Sequence, residues 1–164
     1  NMTTDDIRLA YSWDLFFHDY MDSNWSRESY EILGTASTAV EFWTMFNVIK
    51  EKVSTGMFFF MKKGIFPKWD DNNGKEFSFL TIKVLKTQVP EFTEYLLARL
   101  LSGNIIKQVD VRGDVVDGIS VSPKKNFCIF KLWISSNLSK YKDTSIYDIP
   151  SGYHGDIFIK DYSF

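Results

Sequence analysis

The amino-acid sequence predicts an α+β fold, in which a curved and mainly antiparallel β-sheet carries helices packed on one face. Two observations carry this prediction. Short alternating or continuously apolar segments, typical of strands, recur along most of the chain. Two segments with apolar residues at helical spacing lie between them. Because several neighbouring strands are separated by short turns, we expect hairpins rather than parallel crossovers.

The predicted strands follow from their residue patterns. Trp13, Leu15 and Phe17 alternate with other residues, which predicts a half-buried strand over residues 11–17. The apolar run that opens Met57–Lys62 predicts a buried strand. Other strands are predicted at residues 76–85, 126–135 and 157–162, with one or two short strands within 105–122.

Two helices are predicted between these strands. Thr38 and Glu41 match a capping box, and an apolar stripe at helical spacing follows them. Pro90 is well placed in the first turn of a second helix, which ends near Ser102. The remaining stretches are predicted to be irregular: residues 19–37, the loop 63–75, and 137–155, which could hold a short helix and a turn.

Length and composition indicate one domain, residues 1–164. The net charge of −2 gives no global attraction to nucleic acid, so any anion contact must be local. One cysteine, Cys128, and two histidines predict no disulfide within the chain and no metal cluster. The apolar runs are too short to span a membrane and no signal-peptide pattern opens the chain. We therefore expect a cytoplasmic monomer without a cofactor.

Trp25 and Trp69 stand out because both lie in polar loops. Each could fold back onto the core, since tryptophan is usually highly buried. Two facing indole rings could instead hold a flat ligand, and a cationic ring would add cation–π attraction. Asp70 and Asp71, beside Trp69, could then accept the two adjacent N–H donors of a guanine edge, or they could form a solvated turn.

A basic segment spans residues 118–142 despite the acidic total. It contains five lysines and neither Asp nor Glu, which suits phosphates beside a stacked base, although an exposed strand and loop would have the same composition. Lys131 is predicted to share a strand face with Trp133. The five lysines are Lys124, Lys125, Lys131, Lys140 and Lys142.

Trp43 lies at the edge of the first helix's apolar stripe, where it could anchor a partner protein or pack at the margin of the core. On the second helix, Leu97 and Leu101 point away from the main stripe, so that helix is either buried on two sides or offers a docking face. The sequence contains no catalytic triad pattern, Gly-rich phosphate loop or zinc-binding spacing, so we expect no enzymatic activity.

Three motifs, in order, resemble the eukaryotic mRNA cap-binding initiation factor 4E family. Residues 12–17, SWDLFF, are similar to the family's W-x-x-W-F strand. Residues 38–43, TAVEFW, are similar to its T-V-E-x-F-W helix start, and residues 63–70, KGIFPKWD, resemble D-G-I-x-P-x-W-E. Phe16, Asp70 and Phe77 depart from the family, which has Trp, Glu and Trp there, and Ile7-Arg8-Leu9 replaces a His-Pro-Leu stretch. The resemblance therefore implies a divergent member.

By this resemblance, a 7-methylguanosine cap would lie in the concave face of the sheet, stacked between Trp25 and Trp69. Asp70 would recognise the guanine edge, and Trp133 would lie near the cap methyl group. Lys124 falls where the family has a phosphate-binding Arg. A second basic position reads as Ile129, so Lys125 or Lys131 would substitute for it.

The resemblance also implies three helices on the convex face and a docking site there. Trp43 and Leu101 would bind a scaffold initiation factor, or an inhibitor, through a Y-x-x-x-x-L-hydrophobic helix. The implied function is recruitment of capped mRNA for translation initiation. Two alternatives stay open: a cap-binding repressor of translation, and an interaction module that sequesters scaffold proteins but has lost cap binding.

Overall fold

A computed structural model describes residues 7–107, 113–152 and 157–161. Within these ranges seven strands form one antiparallel sheet with two α-helices, so the predicted α+β class is confirmed. The sheet order is β2-β1-β3-β5-β6-β4-β7. The elements are β1 (Arg8–His18), β2 (Glu31–Thr38), α1 (Ala39–Ile49), β3 (Met57–Lys62), β4 (Ser78–Leu85), α2 (Val89–Ser102), β5 (Val116–Pro123), β6 (Phe127–Ile134) and β7 (Ile157–Asp161). No helix in the described ranges is long and apolar enough to cross a membrane.

The main core lies between the helices and one face of the sheet. From α1, Phe42 and Phe46 are fully buried, and from α2 the residues Phe92, Leu96 and Leu97 are fully buried. Burying each such side chain contributes about 1.5–3 kcal/mol. Apolar residues occur on two sides of α2 because Leu97 is buried as well as Phe92 and Leu96.

The opposite, concave face of the sheet carries a second apolar cluster. Its buried members are Phe16, Phe59, Met61, Phe66, Phe77, Phe79 and Trp133. The prediction that β1 is half-buried was wrong, because Leu15 packs into the main core while Phe16 packs into this second cluster. The concave face therefore has an aromatic floor on which a pocket can be built.

Strand β2 was missed by the sequence analysis, which predicted residues 19–37 to be irregular. Glu31–Thr38 pairs with β1 at the sheet edge, and the register shifts between Leu15 and Phe16. An edge strand is paired on one side only, so it needs no continuous apolar run. The polar and glycine-containing segment EILGTAST hides it from pattern analysis.

The helix ends follow the predicted chemistry. The Thr38 hydroxyl accepts from the Glu41 N–H at 3.2 Å, and the Glu41 carboxylate accepts from the Thr38 N–H at 3.0 Å, which confirms the capping box. Helix α2 starts with Pro90 in its first turn and ends at Gly103, whose φ of 78° favours glycine. In place of a third α-helix, the described part of residues 137–155 contains two short 3-10 turns.

Candidate cap-binding pocket

A cavity of about 370 Å³ opens on the concave face, between the loop after β1 and the loop after β3. Its floor comes from strands β3 to β6, and its walls come from the two loops. Its lining includes Trp25, Tyr30, Lys68, Trp69, Asp70, Phe79, Ser120, Ser122, Ile129, Lys131 and Trp133. Five residues that the sequence analysis assigned to the cap site therefore line one pocket: Trp25, Trp69, Asp70, Lys131 and Trp133.

Trp25 lies at the cavity rim with 43% of its surface exposed, so it does not plug the core. Short-range hydrogen bonds shape its loop. The Asp22 carboxylate accepts from the Asn24 N–H, and the Asn24 amide oxygen accepts from the Ser26 N–H, each at 2.9 Å. Such Asx turns satisfy the loop backbone without a sheet partner.

His18, which the sequence analysis did not assign to the site, supports Trp25. The two rings are stacked, with centroids 4.0 Å apart and planes 23° apart. His18 is fully buried at the end of β1, on the same strand face as Phe16. Its ring nitrogens lie 3.1 Å from the Ser29 carbonyl oxygen and 3.3 Å from the Asp22 carbonyl oxygen. One face of the Trp25 indole is thus packed against a fixed ring.

Trp69 forms part of the opposite wall and packs against the second apolar cluster in a half-buried position. The Asn72 side chain braces its loop. That amide accepts from the Phe66 N–H at 2.8 Å and donates to the Phe66 and Lys68 carbonyl oxygens, each at 3.0 Å. The backbone just before Trp69 is therefore tied to a side chain that follows it.

The two carboxylates beside Trp69 have different surroundings. Asp70 lines the cavity, and its nearest cation is Lys68, 3.9 Å away. Asp71 instead forms a 2.6 Å ion pair with Arg27, whose guanidinium carbon lies 3.8 Å from the centroid of the Phe66 ring. Asp71 is not part of the lining. Of the two acids, Asp70 is the one placed to meet a ligand.

Tyr30 and Trp133 complete the inner part of the pocket. Burial raises the pKa of the Tyr30 hydroxyl, and the nearby Asp70 carboxylate raises it further. Trp133 is only 4% exposed, and its indole N–H donates to the Ser120 hydroxyl at 3.1 Å. Phe77 and Phe79 contact the Trp133 ring edge to face. The floor is therefore aromatic and closely packed.

The candidate phosphate ligands divide into two groups. Lys131 lines the cavity, with its ammonium 5.5 Å from the centroid of the Phe79 ring. Lys124 and Lys125 are exposed in the turn between β5 and β6 and do not line it. Ser122 and Ile129, which pair next to that turn, line the cavity instead.

Trp43 and Leu101 lie on the other side of the sheet, on the helices. Trp43 is half-buried and contacts Phe42 and Phe46 edge to face, with centroids 5.5 and 5.9 Å away. Leu101 is partly buried against the same core. A 3.4 Å ion pair between Lys50 and Glu94 joins the two helices. Trp43 therefore contacts the core and retains an exposed part.

Comparison with solved structures gives the same fold. The initiation factor 4E-3 of Ascaris suum in complex with an m2,2,7G cap superposes with a TM-score of 0.68 at 19% identity, covering 82% of this chain and 77% of that one. The schistosome initiation factor 4E in complex with m7GpppA and 4E-BP gives 0.67 at 21% identity, covering 82% and 75%.

Sequence comparison identifies the family. Curated protein sequences give no significant match. The sequence model of the family described as Eukaryotic initiation factor 4E matches residues 8–150, which include both tryptophan loops and all but the last strand. This chain belongs to the eukaryotic initiation factor 4E family.

Proposed function

We propose that this protein binds the 7-methylguanosine cap of mRNA in the concave pocket, with the methylated base stacked between Trp25 and Trp69. The observation that carries the proposal is the cavity itself. Trp25, from one loop, and Trp69 and Asp70, from another, line this single cavity above an aromatic floor. The two related structures contain an m2,2,7G cap and m7GpppA, which supports the same ligand class here.

The lining has a partner for each part of the cap. N7-methylation makes the guanine ring cationic, so stacking on the indoles gains cation–π attraction. The Asp70 carboxylate accepts the two N–H donors of the guanine edge, and the Trp69 backbone N–H donates to the guanine carbonyl. The methyl group lies toward Trp133. The methyl group and the positive ring charge, which distinguish the cap base from the base of GTP, thus meet aromatic side chains.

The phosphates extend toward Lys131, with Lys124 and Lys125 at the neighbouring hairpin turn. Lysine binds phosphate as a point charge, so its flexible stem tolerates some distance between the turn and the cavity. These three lysines give a local positive charge although the net charge of the chain is −2. This arrangement predicts that the salt-dependent part of the affinity for the cap comes from the β5–β6 hairpin.

The proposed role is non-enzymatic recruitment of capped mRNA for translation initiation in the cytoplasm, by a monomer of one domain. Trp43 and Leu101 dock a scaffold factor carrying a Y-x-x-x-x-L-hydrophobic helix. The exposed part of Trp43, outside the core, supports this assignment. The schistosome relative was solved with 4E-BP, which supports a protein partner of this kind.

Retention on immobilised 7-methyl-GTP tests the proposal. We expect the protein to bind the resin and to elute with free 7-methyl-GTP but not with GTP. Trp25→Ala is the matched control, because Trp25 is exposed and its loss should leave the fold intact. A folded wild-type protein that passes through the column contradicts cap binding. Capture of a scaffold peptide then separates a recruiting factor from a repressor that lacks scaffold affinity.

A further inference from the structure

Beyond the cap pocket, lysines continue across the concave face of strands β6, β4 and β7. Residues directly opposite each other in an antiparallel sheet share a face. The register places Thr81 opposite Lys131, Lys83 opposite Ile129, and Phe79 opposite both Trp133 and Lys160. Lys83, Lys131 and Lys160 therefore surround Thr81, and we call these three residues the lysine triangle. Strand spacing and residue rise separate their Cα atoms by about 8–14 Å.

The charged ends of Lys83 and Lys131 remain on the concave face. The Lys83 ammonium lies 4.2 Å from the centroid of the Phe127 ring, and the Lys131 ammonium lies 5.5 Å from that of Phe79. Both rings belong to the same face by register. Neither β4 nor β6 carries an acidic residue on this face, and Lys160 is the exposed contribution of β7. The described charges that β4, β6 and β7 place on this face are therefore positive, although the whole chain is acidic.

Thr81, at the centre, provides a second and independent indication of a ligand. It is 6% exposed, and its hydroxyl has no hydrogen-bond partner among the described residues. A buried hydroxyl without a partner is costly, and most such groups in folded proteins are satisfied. A phosphate oxygen held by the surrounding lysines would accept a hydrogen bond from the Thr81 hydroxyl.

We propose that the lysine triangle binds the phosphodiester backbone of the RNA nucleotides that follow the cap. The argument is continuity and charge: Lys131 lines the cap pocket and also forms one corner of the triangle. An RNA chain that leaves the pocket and crosses β4 toward β7 would place phosphates near Lys83 and Lys160. Backbone contacts of this kind carry no sequence preference. The triangle's role as an extension of the cap site rests on the proposed function.

Binding of short RNAs to the full chain, followed by anisotropy at several salt concentrations, tests this inference. The ligands are the dinucleotide m7GpppG, a capped oligouridine and the same oligouridine without its cap. We expect the capped oligouridine to bind several-fold more tightly than the dinucleotide and with a steeper salt dependence. In the Lys83→Ala/Lys160→Ala variant that gain disappears. Each phosphate contact to a single strand contributes ~0.7 to the slope of log K against log salt, so losing two contacts should reduce the magnitude of that slope by about 1.4.

The control variant Lys52→Ala/Lys107→Ala removes the same charge from exposed positions that follow the two helices, and it should bind all three RNAs as wild type does. Equal affinity of wild type for the dinucleotide and the capped oligouridine overturns the proposal. So does an equal loss for both ligands in the triangle variant, because the lysines would then contact only the cap.

Failure of the cap proposal gives a different result. If m7GpppG does not bind, the uncapped oligouridine at low salt tests the triangle alone. Weaker oligouridine binding by the triangle variant than by the control variant supports the RNA surface without a cap. Unchanged oligouridine binding, or none, overturns it. Thermal unfolding of both variants at the wild-type temperature excludes a folding defect as the cause.

Discussion

The guanidinium of Arg27 lies 2.6 Å from the carboxylate of Asp71, although 44 residues separate them in the chain. Arg27 follows Trp25 closely and Asp71 follows Trp69 closely, so this ion pair ties together the two loops that carry the tryptophans. Both side chains are about half exposed, and such pairs contribute ~0–1 kcal/mol to stability. The pair's main effect is on chemistry: it occupies Asp71 and leaves Asp70 facing the cavity.

Asp70→Asn should therefore remove most guanine discrimination, whereas Asp71→Asn should have a small effect. An amide accepts from one guanine donor but sets its own N–H against the other, and each charge-assisted hydrogen bond contributes roughly 1.5–3 kcal/mol. Titration of both variants with 7-methyl-GTP and with 7-methyl-ITP, which lacks the exocyclic amine, measures the difference. Unchanged base preference in Asp70→Asn would show that another group recognises guanine.

Loss of either wall should weaken cap binding while the fold survives. Stacking contributes about 1–3 kcal/mol per base, so Trp25→Ala and Trp69→Ala should each lose roughly 5- to 150-fold in affinity for 7-methyl-GTP. Tyr20→Ala is the control, because Tyr20 is exposed in the same loop but outside the cavity lining. Tryptophan fluorescence quenching follows the binding. Equal wild-type affinity for GTP and 7-methyl-GTP would contradict the cation–π contribution.

The lysines on and beside the β5–β6 hairpin should act on the phosphates alone. We expect two variants, Lys131→Ala and Lys124→Ala/Lys125→Ala, to lose more affinity for 7-methyl-GTP than for 7-methylguanosine. In both variants the affinity for 7-methyl-GTP should depend less steeply on salt concentration. Because Lys131 lines the cavity and the other two do not, its single substitution should cost at least as much as the double one. Equal losses for nucleoside and nucleotide would exclude phosphate contact.

Trp43→Ala should abolish binding of a Y-x-x-x-x-L-hydrophobic peptide and leave 7-methyl-GTP affinity nearly unchanged, because Trp43 lies on the far side of the sheet. Its edge-to-face contacts with Phe42 and Phe46 predict some loss of stability as well. That loss should be smaller than the ~3–5 kcal/mol typical of a fully buried Trp→Ala change. A loss in the full range with peptide binding retained would assign Trp43 to the core.

The start of α1 should give a pH-dependent contribution to stability. Thr38→Ala should cost about 1 kcal/mol in the free energy of unfolding, from the loss of the N-cap.

The backbone N–H groups of Ser37 and Thr38 lower the pKa of Glu41 below its ordinary value of 4.5. The Glu41 contribution is thus fully present above pH 4.5 and is lost as the pH falls through the lower folded-state pKa. Urea unfolding of wild type and Glu41→Gln at neutral and acidic pH should converge only at acidic pH.

Elements with a strong local signal were predictable. The capping box gave the start of α1, the apolar run gave β3 with the observed bounds Met57–Lys62, and Pro90 gave the first turn of α2. Strand β2 was missed because its pairing with β1, and not its own composition, makes it a strand. Local patterns thus predicted the elements whose own sequence carries an apolar or capping signal, but not the strand that depends on pairing with a neighbour.

The site was predictable only as a set of residues. Their position in polar loops drew attention to Trp25, Trp69 and the neighbouring Asp70, but long-range contacts determine their environment. Neither the Arg27–Asp71 ion pair nor the stacking of His18 on Trp25 leaves a sequence pattern. His18 has one weak signal, since it continues the alternation that places Phe16 on the concave face.

The stacking of Trp25 on His18 also bears on the thermodynamics of ligand capture. An exposed indole in a polar loop would normally sample several rotamers, and immobilising such a side chain costs roughly 0.5–1.5 kcal/mol on association. Here the imidazole ring and its two carbonyl contacts restrict the indole before any ligand arrives. That ordering cost belongs to folding and not to association, so one wall of the pocket is preorganised, and whatever stacks on its open face binds more tightly.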